Sequence, residues 1–230
     1  ENVAESWITL DHWCQVNRLS PPLRTAATVA ATYLVNTPRG TLALHRGSRV
    51  AQWNGVEIQL GFAPREVDGR LLVHVLDARK NFQPLLEYFA FPPQGSRTIV
   101  VDPGHGGGNN GTKSLYNQHY EKEYTLDWAL RLRPLLEAQG WKVLLTRTND
   151  IEIPLGDRVM FAEKAGADFF LSLHFNAAVS GLEQAGLETY CVTPKGMPSN
   201  LTREFEDDPG KTFPNNAFDG QNYQCAVRLH

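Results

Sequence analysis

The sequence predicts an α/β fold, a mixed and largely parallel sheet flanked by helices, preceded by a small β-rich domain. Three observations carry this. From Thr98 onward, apolar strand-like runs alternate with long helical patterns in the order β-α-β-α-β. Residues 1 to about 92 instead hold short strand-like runs separated by turns. Between them, Phe91-Pro92-Pro93-Gln94-Gly95-Ser96 carries two prolines and a glycine, which continue neither a helix nor a central strand. The expected organisation is a β-rich accessory domain over 1–92, a linker over 93–97 and an α/β domain over 98–230.

In the first domain, strands are expected at 32–35, 41–44, 56–60 and 71–75, where β-branched and other apolar residues cluster. Pro38-Arg39-Gly40 and Trp53-Asn54-Gly55 sit where tight reversals are needed, the second because Asn-Gly tolerates positive φ. Residues 76–88 read as partly helical, with Pro84 as a break. His12, His45 and His74 stand isolated and read as ordinary surface or core histidines.

In the second domain, Thr98-Ile99-Val100-Val101 is a continuous apolar, β-branched run, as expected of a strand covered on both faces. Tyr124, Trp128, Leu132, Leu135 and Leu136 then recur at helical spacing, marking an amphipathic helix that ends near Gly140. Pro134 inside it predicts a kink or an early end. The next strand is expected at 141–146, a second helix at 157–165, a third strand at 168–173 and a late helix at 223–229. Crossovers of this length favour parallel pairing.

Composition narrows the function. The chain has 230 residues, 42% of them hydrophobic, enough for one sizeable core or two modest ones. A net charge of −3 and a pI near 6.2 give no electrostatic excess for gripping nucleic acid or an anionic membrane. No apolar run reaches the roughly 18 residues a membrane span requires. Cys14, Cys191 and Cys225 are too few and too scattered for a disulfide framework, although one bridge is open to them. The chain starts at Glu1 rather than Met, as a processed or trimmed product would, so a missing signal peptide says nothing about secretion.

The chemistry concentrates at strand ends. The strand ending at Val101 runs into Asp102-Pro103-Gly104-His105-Gly106-Gly107, and the one ending at Leu173 runs into His174-Phe175-Asn176. Ligands of open α/β sheets bind at that carboxyl edge, so the two histidines are expected to converge there. Glu121, on the core-facing stripe of the helix's first turn, is the candidate third ligand, and the helix N-terminus favours its charge. Two imidazoles and one carboxylate with an open fourth position make a catalytic zinc site. Zinc polarises a scissile carbonyl and lowers the pKa of bound water to about 7. Asp102 is the candidate acceptor that fixes a histidine tautomer. His119 is a rival ligand from the loop before the helix, and Lys122 and Glu123 read as a solvated first turn. The competing reading makes His105 and His174 backbone-bonded strand-end residues and Glu121 a helix-capping carboxylate.

These segments, taken in order with Leu145-Thr146-Arg147, Leu155 with Arg158, Ser172-Leu173-His174-Phe175-Asn176-Ala177 and Gly186-Leu187-Glu188-Thr189-Tyr190, closely resemble the zinc-dependent N-acetylmuramoyl-L-alanine amidase family, amidase type 3. The resemblance covers roughly residues 98–195. It implies zinc held by His105, Glu121 and His174, and hydrolysis of the amide joining N-acetylmuramic acid to L-alanine. Peptidoglycan is then the partner and the bacterial envelope, periplasmic or extracellular, the location. Gly47-Ser48-Arg49 and Trp53-Asn54-Gly55 resemble parts of the small β-rich stalk domains found at the N-terminus of copper amine oxidases.

The family also uses a glutamate on a late strand to activate water. No matching segment follows Leu229, so the catalytic domain is expected to be incomplete at its C-terminus and the base to lie beyond it, with Glu188, on an expected strand after His174, as a substitute candidate. Arg147 and Arg158 are candidates for substrate carboxylate contacts or for structural ion pairs. Two other functions compete. One is a catalytically incomplete peptidoglycan-binding or regulatory module, the other a zinc peptidase of similar layout.

Overall fold

The computed structural model describes residues 6–25, 31–89, 97–176, 186–199 and 210–230. The chain divides into two compact units, Glu1–Phe89 with Gly186–His230, and Ala90–Ala185. Most of the expected linker falls outside the described residues.

In the first unit, β1 (Trp7–Thr9) leads into α1 (Leu10–Val16), followed by β2 (Leu23–Arg24), β3 (Thr32–Thr37), β4 (Gly40–His45), β5 (Val50–Trp53), β6 (Val56–Gln59), β7 (Arg65–Val67) and β8 (Arg70–His74). Strands β2-β3-β4-β5-β6 form an antiparallel sheet in that order, and β1-β8-β7 a second one. Period-two alternation explains why these runs are strands: Tyr33 and Val35 point inward from β3, Ala51 and Trp53 from β5. They pack with Leu10, Trp13, Leu71, Val73 and Phe82 into one core. The Asn54-Gly55 reversal takes the expected left-handed backbone, with φ of 52° and 84°. His45 Nδ1 meets the Thr32 hydroxyl and His74 Nδ1 accepts the Leu76 N–H, structural roles for both.

Pro84 does not break the segment after β8. The chain runs α2 (Val75–Asp77), a π turn (Ala78–Phe82) and α3 (Gln83–Leu86) without interruption. The Gln83 N–H reaches back five residues to the Ala78 carbonyl, and this widened turn shifts the backbone pairing just before the proline. The last helix, α6 (Asp219–Leu229), belongs to this unit. Tyr223 joins its core, Gln224 Nε2 donates to the Pro84 and Glu87 carbonyls that end α3, and Lys80 pairs with Asp219 at 2.8 Å. The stretch Gly186–His230, expected within the α/β domain, is thus gathered with the β-rich unit. All three cysteines are free thiols.

Asp77 ties this unit together. Its carboxylate is buried and accepts the N–H groups of Gly61 and Phe62 and the Asn81 amide. Burial nevertheless pushes its pKa up from 3.8 to about 6. A folded-state pKa above the unfolded value contributes stability that is complete below pH 3.8 and is lost as pH rises through about 6. Between pH 4 and pH 8 the wild type should therefore lose about 2 kcal/mol relative to Asp77→Asn, which carries no charge. Denaturant midpoints of both proteins at the two pH values check this; parallel pH profiles would refute it.

The second unit follows the expected order: β9 (Thr98–Pro103), α4 (Glu121–Ala138), β10 (Lys142–Leu145), α5 (Leu155–Lys164) and β11 (Phe169–Leu173). The sheet order is β10-β9-β11, all parallel, with Val101 opposite Leu145 and Pro103 opposite Leu173. Every residue of β9 is buried, as its two-sided apolar run requires. Ile99, Val101, Ala129 and Val143 form the core under α4, with Leu132 and Leu136 packed against it. Helix α4 continues through Pro134 to Ala138. The proline and Leu130, whose carbonyl it cannot bond, are both exposed residues of the helix.

Candidate metal centre

The carboxyl ends of the neighbouring strands β9 and β11 deliver the two histidines. The ladder extends one step beyond the strands, with the Gly104 N–H donating to the Leu173 carbonyl at 3.0 Å. His105 then turns into left-handed backbone at φ 61°, followed by Gly106 at 125° and Gly107 at 57°. A non-glycine residue in that region is strained and persists only when its surroundings hold it. Two buried arginines do so. Arg147 donates to the carbonyls of Pro103, Gly104 and Lys122, and Arg158 to those of Pro103 and His105. Neither guanidinium is placed for a substrate carboxylate: both are buried, and the structural role is the one observed. Burial lowers the Arg147 pKa, and the neighbouring charge of Arg158 adds to that shift.

Three side-chain atoms converge. His105 Nε2 lies 3.0 Å from Glu121 Oε1, His174 Nδ1 lies 3.1 Å from the same oxygen, and the two nitrogens are 3.2 Å apart. Among the described residues these three form the group able to share a metal ion. Glu121 is held by the Phe175 N–H on Oε1 and by the Thr112 N–H and hydroxyl on Oε2. Burial pushes its pKa up, but the Thr112 and Phe175 N–H bonds and the two imidazoles outweigh that and hold it below the ordinary carboxylate value. A Cβ at Gly104 would overlap the His174 ring, so only glycine lets that imidazole approach the loop.

The residues fit zinc. Ligand distances of about 2.0–2.2 Å in a tetrahedral site separate neighbouring ligand atoms by about 3.3–3.6 Å, close to the spacing found here. His105 Nδ1 meets Asn109 Oδ1 at 2.8 Å, and because that oxygen only accepts, Nδ1 carries the proton and Nε2 presents a lone pair. That lone pair and the Glu121 carboxylate point at each other, an arrangement a cation relieves. Exposure rises from 3% at Glu121 through 19% at His105 to 46% at His174, so the group opens to solvent on its His174 side.

Several expectations are corrected. The acceptor for His105 is Asn109, not Asp102, because both Asp102 oxygens are engaged elsewhere: Thr146 and Arg158 on Oδ1, Ser172 on Oδ2. Asp102 acts on the loop's main chain through Arg158. Lys122 is not a solvated residue of the first turn. Its ammonium donates to the Gly107 carbonyl and pairs with Asp150, which in turn accepts the Gly107 N–H. His119 does not join the metal group and pairs with Glu123 on the surface. The stretch Gly186–Tyr190 forms no strand, and Glu188 accepts a hydrogen bond from the Tyr190 hydroxyl, which together with burial raises that phenol's pKa. Asn109 and Thr112 were not picked out in the sequence; their signal was a glycine-rich turn with polar side chains between two candidate ligands.

Comparison with known proteins points to one family. The sequence model of the N-acetylmuramoyl-L-alanine amidase family matches residues 99–226, more than half of the chain. That match takes in α6, which packs with the β-rich unit. The chain is 41% identical over 106 residues to N-acetylmuramoyl-L-alanine amidase AmiC of Escherichia coli, covering 46% of this chain and 25% of that protein. It is also 41% identical over 108 residues to N-acetylmuramoyl-L-alanine amidase CwlM of Bacillus licheniformis, covering 46% and 40%. The chain thus spans between a quarter and two fifths of these curated relatives. A crystal structure of an N-acetylmuramoyl-L-alanine amidase from Clostridium difficile shares 38% identity over 40% of this chain and 50% of its own, with a TM-score of 0.38.

Proposed function

This chain belongs to the N-acetylmuramoyl-L-alanine amidase family, and from that premise we propose that it hydrolyses the amide between N-acetylmuramic acid and L-alanine in peptidoglycan, within the bacterial envelope. The observation that carries the reading is the meeting of His105 Nε2, Glu121 Oε1 and His174 Nδ1 within 3.2 Å at the carboxyl edge of the sheet. None of the described helices is long and apolar enough to cross a membrane.

His105, Glu121 and His174 would hold zinc, which when bound polarises the scissile carbonyl and makes a water nucleophile available near neutral pH. The chain's own residues do the rest. Glu121 supplies the negative charge that draws a cation, its orientation fixed by Thr112 and Phe175. The Arg147 and Arg158 bonds fix the His105 main chain, so the imidazole does not have to be ordered when substrate arrives. The open His174 side leaves room for the glycan and its peptide.

The attacking water must lose a proton to a general base. The experiment is digestion of purified murein by zinc-loaded protein, with identification of the new amino terminus. L-Alanine at that terminus is expected. Another residue there would make the protein a peptidase, and retention on murein without release would make it a binding module.

A further inference from the structure

We infer that Asn109 is a positioning residue that decides which nitrogen of His105 is offered to the metal, and so sets the affinity of the site. The inference rests on the reading of His105, Glu121 and His174 as metal ligands. The turn that carries Asn109 is closed from both sides, with the Gly106 N–H donating to the Asn109 carbonyl at 2.9 Å and the Asn109 N–H to the Gly106 carbonyl at 3.1 Å. This closure sends the Asn109 side chain back onto the imidazole four residues earlier, where Oδ1 lies 2.8 Å from His105 Nδ1. The Gly111 N–H donates to the same oxygen at 3.3 Å.

The Gly111 N–H is a donor whatever the imidazole tautomer, and it identifies the atom it meets as the carbonyl oxygen of the amide, since the amide nitrogen could not accept it. The partner nitrogen of His105 must then be protonated, and Nε2 is left as the ligand. His105 is thus held in one tautomer before any ion arrives. Because Asn109 is an amide, it orients the ring without adding a second negative charge beside Glu121. A carboxylate in its place would orient the ring equally and make Nε2 more basic.

The test has two readouts on the whole chain, neither of them enzymatic. Proton–nitrogen correlation spectra of the imidazoles in metal-free protein report the His105 tautomer, and competition with a zinc-sensitive chelator reports affinity. Wild type should show His105 protonated at Nδ1. Asn109→Leu should lose that preference and bind zinc about 10–100-fold more weakly, the usual cost of removing an outer partner of a metal-ligating histidine. Asn109→Asp should restore both, with affinity at or above that of wild type. Main-chain bonds close the turn in every variant, so folding is not at stake in the comparison. Wild-type His105 protonated at Nε2, or wild-type affinity in Asn109→Leu, overturns the inference. If wild type binds no zinc at all, the metal reading fails, while the tautomer spectra still judge the role of Asn109 separately.

Discussion

Protein carrying His105→Ala or His174→Ala should retain less than about a tenth of the wild-type zinc after dialysis, because each imidazole is one of only three protein ligands in a site of this type. The loss should be nearly complete rather than graded. Glu121 and the remaining histidine would still face each other, but two protein ligands do not define a tetrahedral site. Hydrolysis of murein should fall with the metal. The fold should survive, since β9 and β11 pair through main-chain bonds and His174 is 46% exposed. Metal analysis beside circular dichroism checks this. Unchanged zinc in both variants, with secondary structure intact, would remove the basis for the hydrolase reading.

Asp102→Ala should destabilise the protein by about 3–5 kcal/mol, the cost of stripping one partner from a buried ion pair. Asp102 binds the Arg158 guanidinium at 2.7 Å and both groups are almost completely buried. It also receives the hydroxyls of Thr146, just after β10, and of Ser172 on β11. One carboxylate thus joins the ends of all three parallel strands to α5. Its removal leaves a buried guanidinium facing carbonyls alone, and those carbonyls belong to the loop that carries His105. A fall in Tm of roughly 10 °C or more is expected for a chain of this size. Asp102→Asn should lose less, because it keeps an acceptor for the hydroxyls. A change below about 1 kcal/mol in Asp102→Ala would mean that Arg158 finds compensation elsewhere.

The meeting of His105, Glu121 and His174 was legible because strand and helix periodicity fix where an element ends. A histidine just past an apolar strand has to lie at the sheet's edge, and a carboxylate on the inner stripe of a helix's first turn has to face it. The order β9-α4-β10-α5-β11 was legible for the same reason. Roles that depend on the path of a loop were not. Asp102 and Asn109 lie on either side of His105 in sequence, yet only the left-handed turns at His105 and Gly107 decide which of them meets the imidazole. The burial of Arg147 and Arg158 was equally hidden, since an arginine that fills a cavity with bonds to carbonyls has the same spacing as one on the surface. Pro84 and Pro134 misled for a local reason: a π turn and an exposed helix face each absorb the missing N–H. The short strands β1, β2 and β7 carry too few residues for alternation to register.

The pairing of Pro103 with Leu173 fixes how far His105 and His174 stand from each other. A slip of one residue along that ladder would carry an imidazole about 3.3 Å along the strand and turn the strand's side chains to the opposite face. Only the correct alignment closes the three-atom cluster, so an ion bound there favours that alignment over every slipped one by its own binding free energy. The ion would then proofread the sheet as well as serve the reaction. Insertions in the exposed turns should be tolerated, whereas a single residue added within β9 or β11 should abolish zinc uptake even where the strands still pair.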